Sequence, residues 1–175
     1  MNKIQTILIL TTAIFFWQCG SAKKTVKTDD KKIQLEKIIF HTSICFGSCP
    51  TYHLQVDKDK NIKLYAEHVY KTGGRFYEDD STKTGYFIGK ADDSTFDKLI
   101  NELNTIGLDS LQFRKANCCD GSIKTIIVYY NGKRKFMKSM FPPEEANELI
   151  DILYDICHTK SLKRSAEEFE VESEE

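Results

Sequence analysis

The sequence predicts an α+β fold: an antiparallel sheet of about five to six strands with two helices on one face. Three observations lead there. Apolar residues alternate with polar ones along 52–56 and 62–66, the period of half-buried strands. They recur every three or four residues from Phe96 to Ile106 and again from Ala146 to Cys157, the period of a helix. Asn131-Gly132 separates two strand-like runs, and both residues tolerate the positive φ of a type I′ hairpin turn.

A β-branched, apolar stretch at 37–44 predicts the first strand. The two alternating runs that follow form a hairpin through the polar turn Asp57-Lys58-Asp59-Lys60-Asn61, and the second ends near Val69. Gly73-Gly74 marks another turn, after which 84–90 reads as a strand. Asp92-Asp93-Ser94 offers oxygens that can cap the free N–H groups of a helix start, and Gly107 is its natural stop. The runs 123–130 and 133–140 flank Asn131-Gly132 as a second hairpin. Pro142-Pro143 opens the second helix, with Glu144 and Glu145 complementing its dipole and Ala146, Leu149, Ile150, Leu153 and Cys157 on its inner face. The element order is hairpin, strand, helix, hairpin, helix.

The ends of the chain differ from its middle. Met1-Asn2-Lys3 precedes a short apolar run at 4–17, below the ~18 to 20 residues that cross a bilayer and of the kind cleaved from exported proteins. Gln18-Cys19-Gly20-Ser21 follows, and a cysteine at the end of such a run resembles the lipobox of bacterial lipoproteins, which implies a diacylated Cys19. Gly20 lacks the aspartate that resembles an inner-membrane retention signal. The expectation is therefore an outer-membrane lipoprotein facing the periplasm; cleavage after Ala22, giving a secreted soluble product, is the alternative. Residues 1–18 are read as signal peptide, 19–32 as a flexible tether, 33–160 as one α+β domain and 161–175 as an acidic disordered tail. The formal net charge is −1, and the lysines are scattered without a basic stripe, so nucleic acid is excluded as a partner. The expected partners are the membrane, through the lipid, and an envelope protein.

The most distinctive string is Cys45-Phe46-Gly47-Ser48-Cys49-Pro50-Thr51-Tyr52. Extended backbone would hold the two cysteine Cα atoms roughly 13 Å apart, too far for a disulfide, so a bridge requires the tight turn that Gly47 and Pro50 permit. Cys-Phe-Gly-x-Cys-Pro-x-Tyr followed by a strand, a turn and a second strand resembles an uncharacterised family of bacterial lipoproteins, domain of unknown function 6438. The resemblance covers about 38–158 and takes in Phe46, Gly47, Pro50, Tyr52 and Asp120. It implies a fold and a location and carries no activity.

The cysteines admit three readings. Cys45 and Cys49 can staple one end of the sheet, by bonding each other or Cys118 or Cys119. Cys-x-x-x-Cys-Pro also occurs in copper-delivery proteins, which makes Cys45 and Cys49 candidates for thiol redox or copper work, although the chain lacks the alternating βαβ pattern of those proteins. A zinc site built from Cys45, Cys49, Cys118 and Cys119 has the right ligand number and an uncommon spacing. Cys157 sits on an apolar helix face as a small core residue. His41, His53, His68 and His158 are too dispersed to suggest a metal or nucleophile constellation; His53 and His68 could face each other across the first hairpin, but histidines on the polar face of a sheet are more often bystanders. Asp120, before Gly121 and Ser122, is expected to cap a turn through its side chain. Tyr65, Tyr70, Tyr77, Tyr86, Tyr129 and Tyr130 suit either strand packing or a partner site on an open sheet face. No catalytic constellation, metal or cofactor is called for. The leading reading is a non-catalytic periplasmic binding or interaction module, with the redox or copper protein as the alternative.

Overall fold

Strand β1 (Leu35–Thr42) carries Ile38, Ile39, Phe40 and His41 in succession, all buried. A run that is apolar at consecutive positions must be covered on both faces, which puts it inside a sheet and between two layers. The computed structural model describes residues 32–73, 77–115 and 120–173 and has β1 in that position. Its neighbours are β2 (Thr51–Asp57) and β5 (Lys124–Tyr130), in a seven-stranded sheet of order β6-β5-β1-β2-β3-β4-β7. The other strands are β3 (Asn61–His68), β4 (Gly85–Lys90), β6 (Lys133–Ser139) and β7 (Lys163–Arg164), and every named pairing is antiparallel.

The β5–β6 hairpin turns through Asn131 and Gly132 at φ 50° and 72°, as the dipeptide requires. Helix α1 (Asp93–Thr105) begins where the Asp92 carboxylate accepts from the Thr95 N–H at 2.9 Å and ends before Gly107, which has φ 66°. A short 3-10 turn (Glu144–Ala146) leads into α2 (Asn147–Cys157). Both helices lie on one face of the sheet. Phe96, Leu99 and Leu103 of α1 and Leu149, Leu153 and Ile156 of α2 close over Ile38, Phe40, Leu54, Leu64, Ile126 and Val128 in one core. Each such side chain taken from water contributes about 1.5–3 kcal/mol before entropy is subtracted.

Two expectations need correction. The sheet has seven strands, one more than the upper figure expected, and the extra one comes from the segment read as a disordered tail. Lys163 pairs with Ile88 and Arg164 with Phe87, and the Ser165 N–H continues to the Tyr86 carbonyl at 2.8 Å. Gly89 makes this approach feasible, because a Cβ there would lie 2.9 Å from the Ser161 carbonyl oxygen. Residues 166–173 then cross the face opposite the helices. Their carboxylates suggest self-repulsion, yet Phe169 and Val171 interrupt the charge and the strands beneath offer Lys37, Lys63 and Arg134. Attraction to those cations offsets part of the repulsion along the tail. The segments expected to be a signal peptide and, up to residue 31, a tether lie outside the described residues with Cys19, as do Cys118 and Cys119. Among the described residues, no helix is long and apolar enough to cross a membrane.

Candidate functional site

Two surfaces stand out. The first is the loop between β1 and β2, which holds the distinctive cysteine string. Its base is fixed by short polar contacts. Thr42 Oγ1 donates to the Pro50 carbonyl and accepts from the Tyr52 N–H, both at 2.9 Å. Ser43 exchanges main-chain and side-chain bonds with Ser122 and Ile123. Above this base Cys45 and Cys49 are disulfide-bonded with their Cα atoms 5.7 Å apart, so the chain makes the tight turn that a bridge requires. With both sulfurs in one bond, neither is joined to Cys118 or Cys119. A copper or zinc role for the pair would require that bond to open.

The Phe46 N–H donates to the Asp120 carbonyl at 3.0 Å. Asp120 therefore meets the loop through its backbone carbonyl. The staple and this bond leave two large apolar side chains outside: Phe46 is 83% exposed and Ile44 63%. Below the loop lies a half-open cleft of about 580 Å³ lined by Ser48, Pro50, Tyr52, Leu64, Tyr70 and His158, among others. Tyr52 shares a 3.0 Å hydrogen bond with His158 Nε2 at its floor. Burial, then the neighbouring Cys157 and Tyr154, push the Tyr52 hydroxyl up to about 12, so it is neutral and able to donate. Cys157 is buried and its thiol is pushed up by desolvation, as befits a core residue.

The second surface is the sheet face opposite the helices. A row of rings crosses four strands there. His41 and His53 have centroids 5.1 Å apart, His53 stacks on Tyr65 at 5.5 Å, Tyr65 on Tyr86 at 4.5 Å, and Phe169 of the tail meets Tyr86 edge-on at 5.2 Å. Beside the row, Glu172 of the tail pairs with Lys37 at 2.6 Å, accepts from the Tyr129 hydroxyl and lies 3.6 Å from Arg134. Its carbonyl accepts from His41 Nε2 at 2.9 Å.

Of the tyrosines weighed for an open face, Tyr65, Tyr86 and Tyr129 lie here, whereas Tyr130 turns to the helix side and donates to Asp109 at 2.6 Å. His53 and His68 are not partners. The register of the first hairpin, set from Val56 opposite Ile62, places His53 across from Tyr65, and His68 lies opposite Thr51 beyond an irregularity between Thr51 and Tyr52. The pairing that does form, His41 with His53, depends on how β1 and β2 align across the stapled loop. Period-two alternation gives each strand's faces and leaves that alignment open, so the sequence offered no signal for it. Among the described residues, no group of three or more histidine, cysteine or acidic side chains is arranged to hold a metal.

A family model described as domain of unknown function 6438 (DUF6438) matches residues 36–157. That span runs from β1 to the last residue of α2, so β7 and the tail lie beyond it. No curated protein matches the chain.

Proposed function

The chain belongs to the family described as domain of unknown function 6438, and from that premise we propose that it is a lipid-anchored envelope interaction module without catalysis. Cys19 carries the lipid in the periplasmic leaflet of the outer membrane, and the stapled loop presents the contact. The observation that carries this reading is Phe46. Leaving a phenylalanine in water forgoes about 1.5–3 kcal/mol, and here the ring is held out on a rigid loop rather than on a mobile end. Rigid, exposed aromatic anchors are what partner pockets use, because little entropy is lost when they dock. The partner is an envelope protein with an apolar pocket. A disulfide in the loop suits an oxidising compartment.

The test is mass spectrometry with thiol labelling on the protein isolated from its own envelope. A diacylated Cys19 together with an unlabelled, bonded Cys45 and Cys49 is the expected result. An unlipidated start removes the anchor. Free or metal-bound Cys45 and Cys49 would favour the redox or copper reading instead.

A further inference from the structure

We propose that the sheet face opposite the helices is a binding site for an extended acidic peptide bearing one aromatic residue, and that residues 165–173 fill it in the free chain. The site is built by the strands. Ile39 and Ile127, facing each other across β1 and β5, are fully buried on this side, and the ring row from His41 to Tyr86 is held by four strands. Its charge is fixed too, because Lys37, Lys63 and Arg134 stand on β1, β3 and β6.

The occupant is held differently. Beyond β7 the described residues of the tail form no strand, and two side chains three residues apart make their main contacts. Phe169 sits against Tyr86 with the Lys63 ammonium 5.6 Å from its ring centre, and Glu172 sits among Lys37, Tyr129 and Arg134. This defines the ligand as an aromatic residue followed three positions later by a carboxylate, within a run of negative charge. The grip is wet: the Lys37 and Glu172 side chains are 32% and 26% exposed, and ion pairs of that kind contribute about 0–1 kcal/mol. What keeps the tail in place is its tether at β7, which supplies a local concentration on the order of millimolar. A partner segment of the same chemistry that matches the face better, or arrives from an assembled complex, displaces it.

The experiment uses the full chain and a fluorescein-labelled synthetic peptide, Ser-Ala-Glu-Glu-Phe-Glu-Val-Glu-Ser-Glu-Glu, with anisotropy as the readout. In a Phe169→Ala/Glu172→Ala double variant the face is vacated, and the peptide should bind at least roughly tenfold more tightly than to the unaltered chain. Adding Lys37→Glu should abolish that binding, and salt should weaken it. Circular dichroism establishes that each variant is folded. Three outcomes overturn the proposal: no binding to a folded double variant, equal binding to the unaltered chain, or equal binding of a peptide lacking the phenylalanine and the third glutamate after it. A dimer of the unaltered chain that disappears in the double variant would also overturn it, since the tail would then fill the face of a second copy.

Discussion

The Nδ1 atoms of His41 and His53 lie 2.8 Å apart across the β1–β2 pair. The other ring nitrogen of His41 faces the Glu172 carbonyl, an oxygen that can only accept. His41 therefore donates from Nε2, and in its neutral form presents Nδ1 as an acceptor toward His53, whose Nε2 lies 3.2 Å from a Glu67 carboxylate oxygen. The contact between two strands thus backs the ring that holds the tail. His53→Ala is expected to lower stability by about 1 kcal/mol and to raise hydrogen exchange at 170–173 more than elsewhere. Unchanged exchange in the tail would disconnect the two.

Acid should release the tail. Burial draws the Glu172 carboxyl upward, but hydrogen bonds from Lys37 and Tyr129 and the charges of Lys37 and Arg134 outweigh it and hold the group below its ordinary 4.5. Since the docked value is the lower one, Glu172 contributes to docking in full above the ordinary value and loses that contribution as pH falls through the docked one. Protection of 166–173 against proteolysis should drop below about pH 4.5, and Glu172→Gln should remove this acid-dependent step. A tail equally protected on both sides of that range contradicts the assignment.

Four tyrosines are pushed above their ordinary value, Tyr65 and Tyr154 by burial first and Tyr52 and Tyr130 furthest of all. Tyr52 is pushed up to about 12 by burial first, and Tyr130 to about 12 by burial and then by its bond to Asp109. Near-ultraviolet titration should show a fraction of the eight tyrosines ionising well above 10, reduced by Tyr52→Phe and by Tyr130→Phe. The folded values exceed the unfolded one, so this contribution to stability is present below pH 10 and is lost as pH rises toward about 12. A single tyrosine transition near 10 would contradict it.

The Cys45–Cys49 bridge closes a small ring, which limits what it contributes. Loop-closure entropy for so short a loop is about 2 kcal/mol. Cys45→Ser/Cys49→Ser should therefore stay folded, with a lower urea midpoint and an unchanged slope. Failure to fold would mean the bridge is needed for more than ordering the loop.

Much of the fold was legible because its signals are local. Asp92 and Gly107 bracket α1, Asn131-Gly132 turns the last hairpin, and the alternation at 52–56 and 62–66 gives β2 and β3. The tail was not legible, because counting its carboxylates hides Phe169 and Val171 and says nothing of Lys37 or Arg134, more than 30 residues away in sequence. The Cys45–Cys49 pairing was one of several open to the sequence, since only the fold shows the turn. Nor could sequence spacing set Tyr52 against His158, whose separation of 106 residues is bridged when α2 folds back over the sheet.

The most direct test of the interaction module is a photo-cross-linking residue placed at Phe46 in cells, with Ile88, exposed on β4, as the control position. A discrete adduct with one envelope protein at position 46, absent at position 88 and lost in Cys45→Ser/Cys49→Ser, is the result predicted here. No adduct at 46, or the same diffuse products from both positions, would mean that the stapled loop is not a docking element.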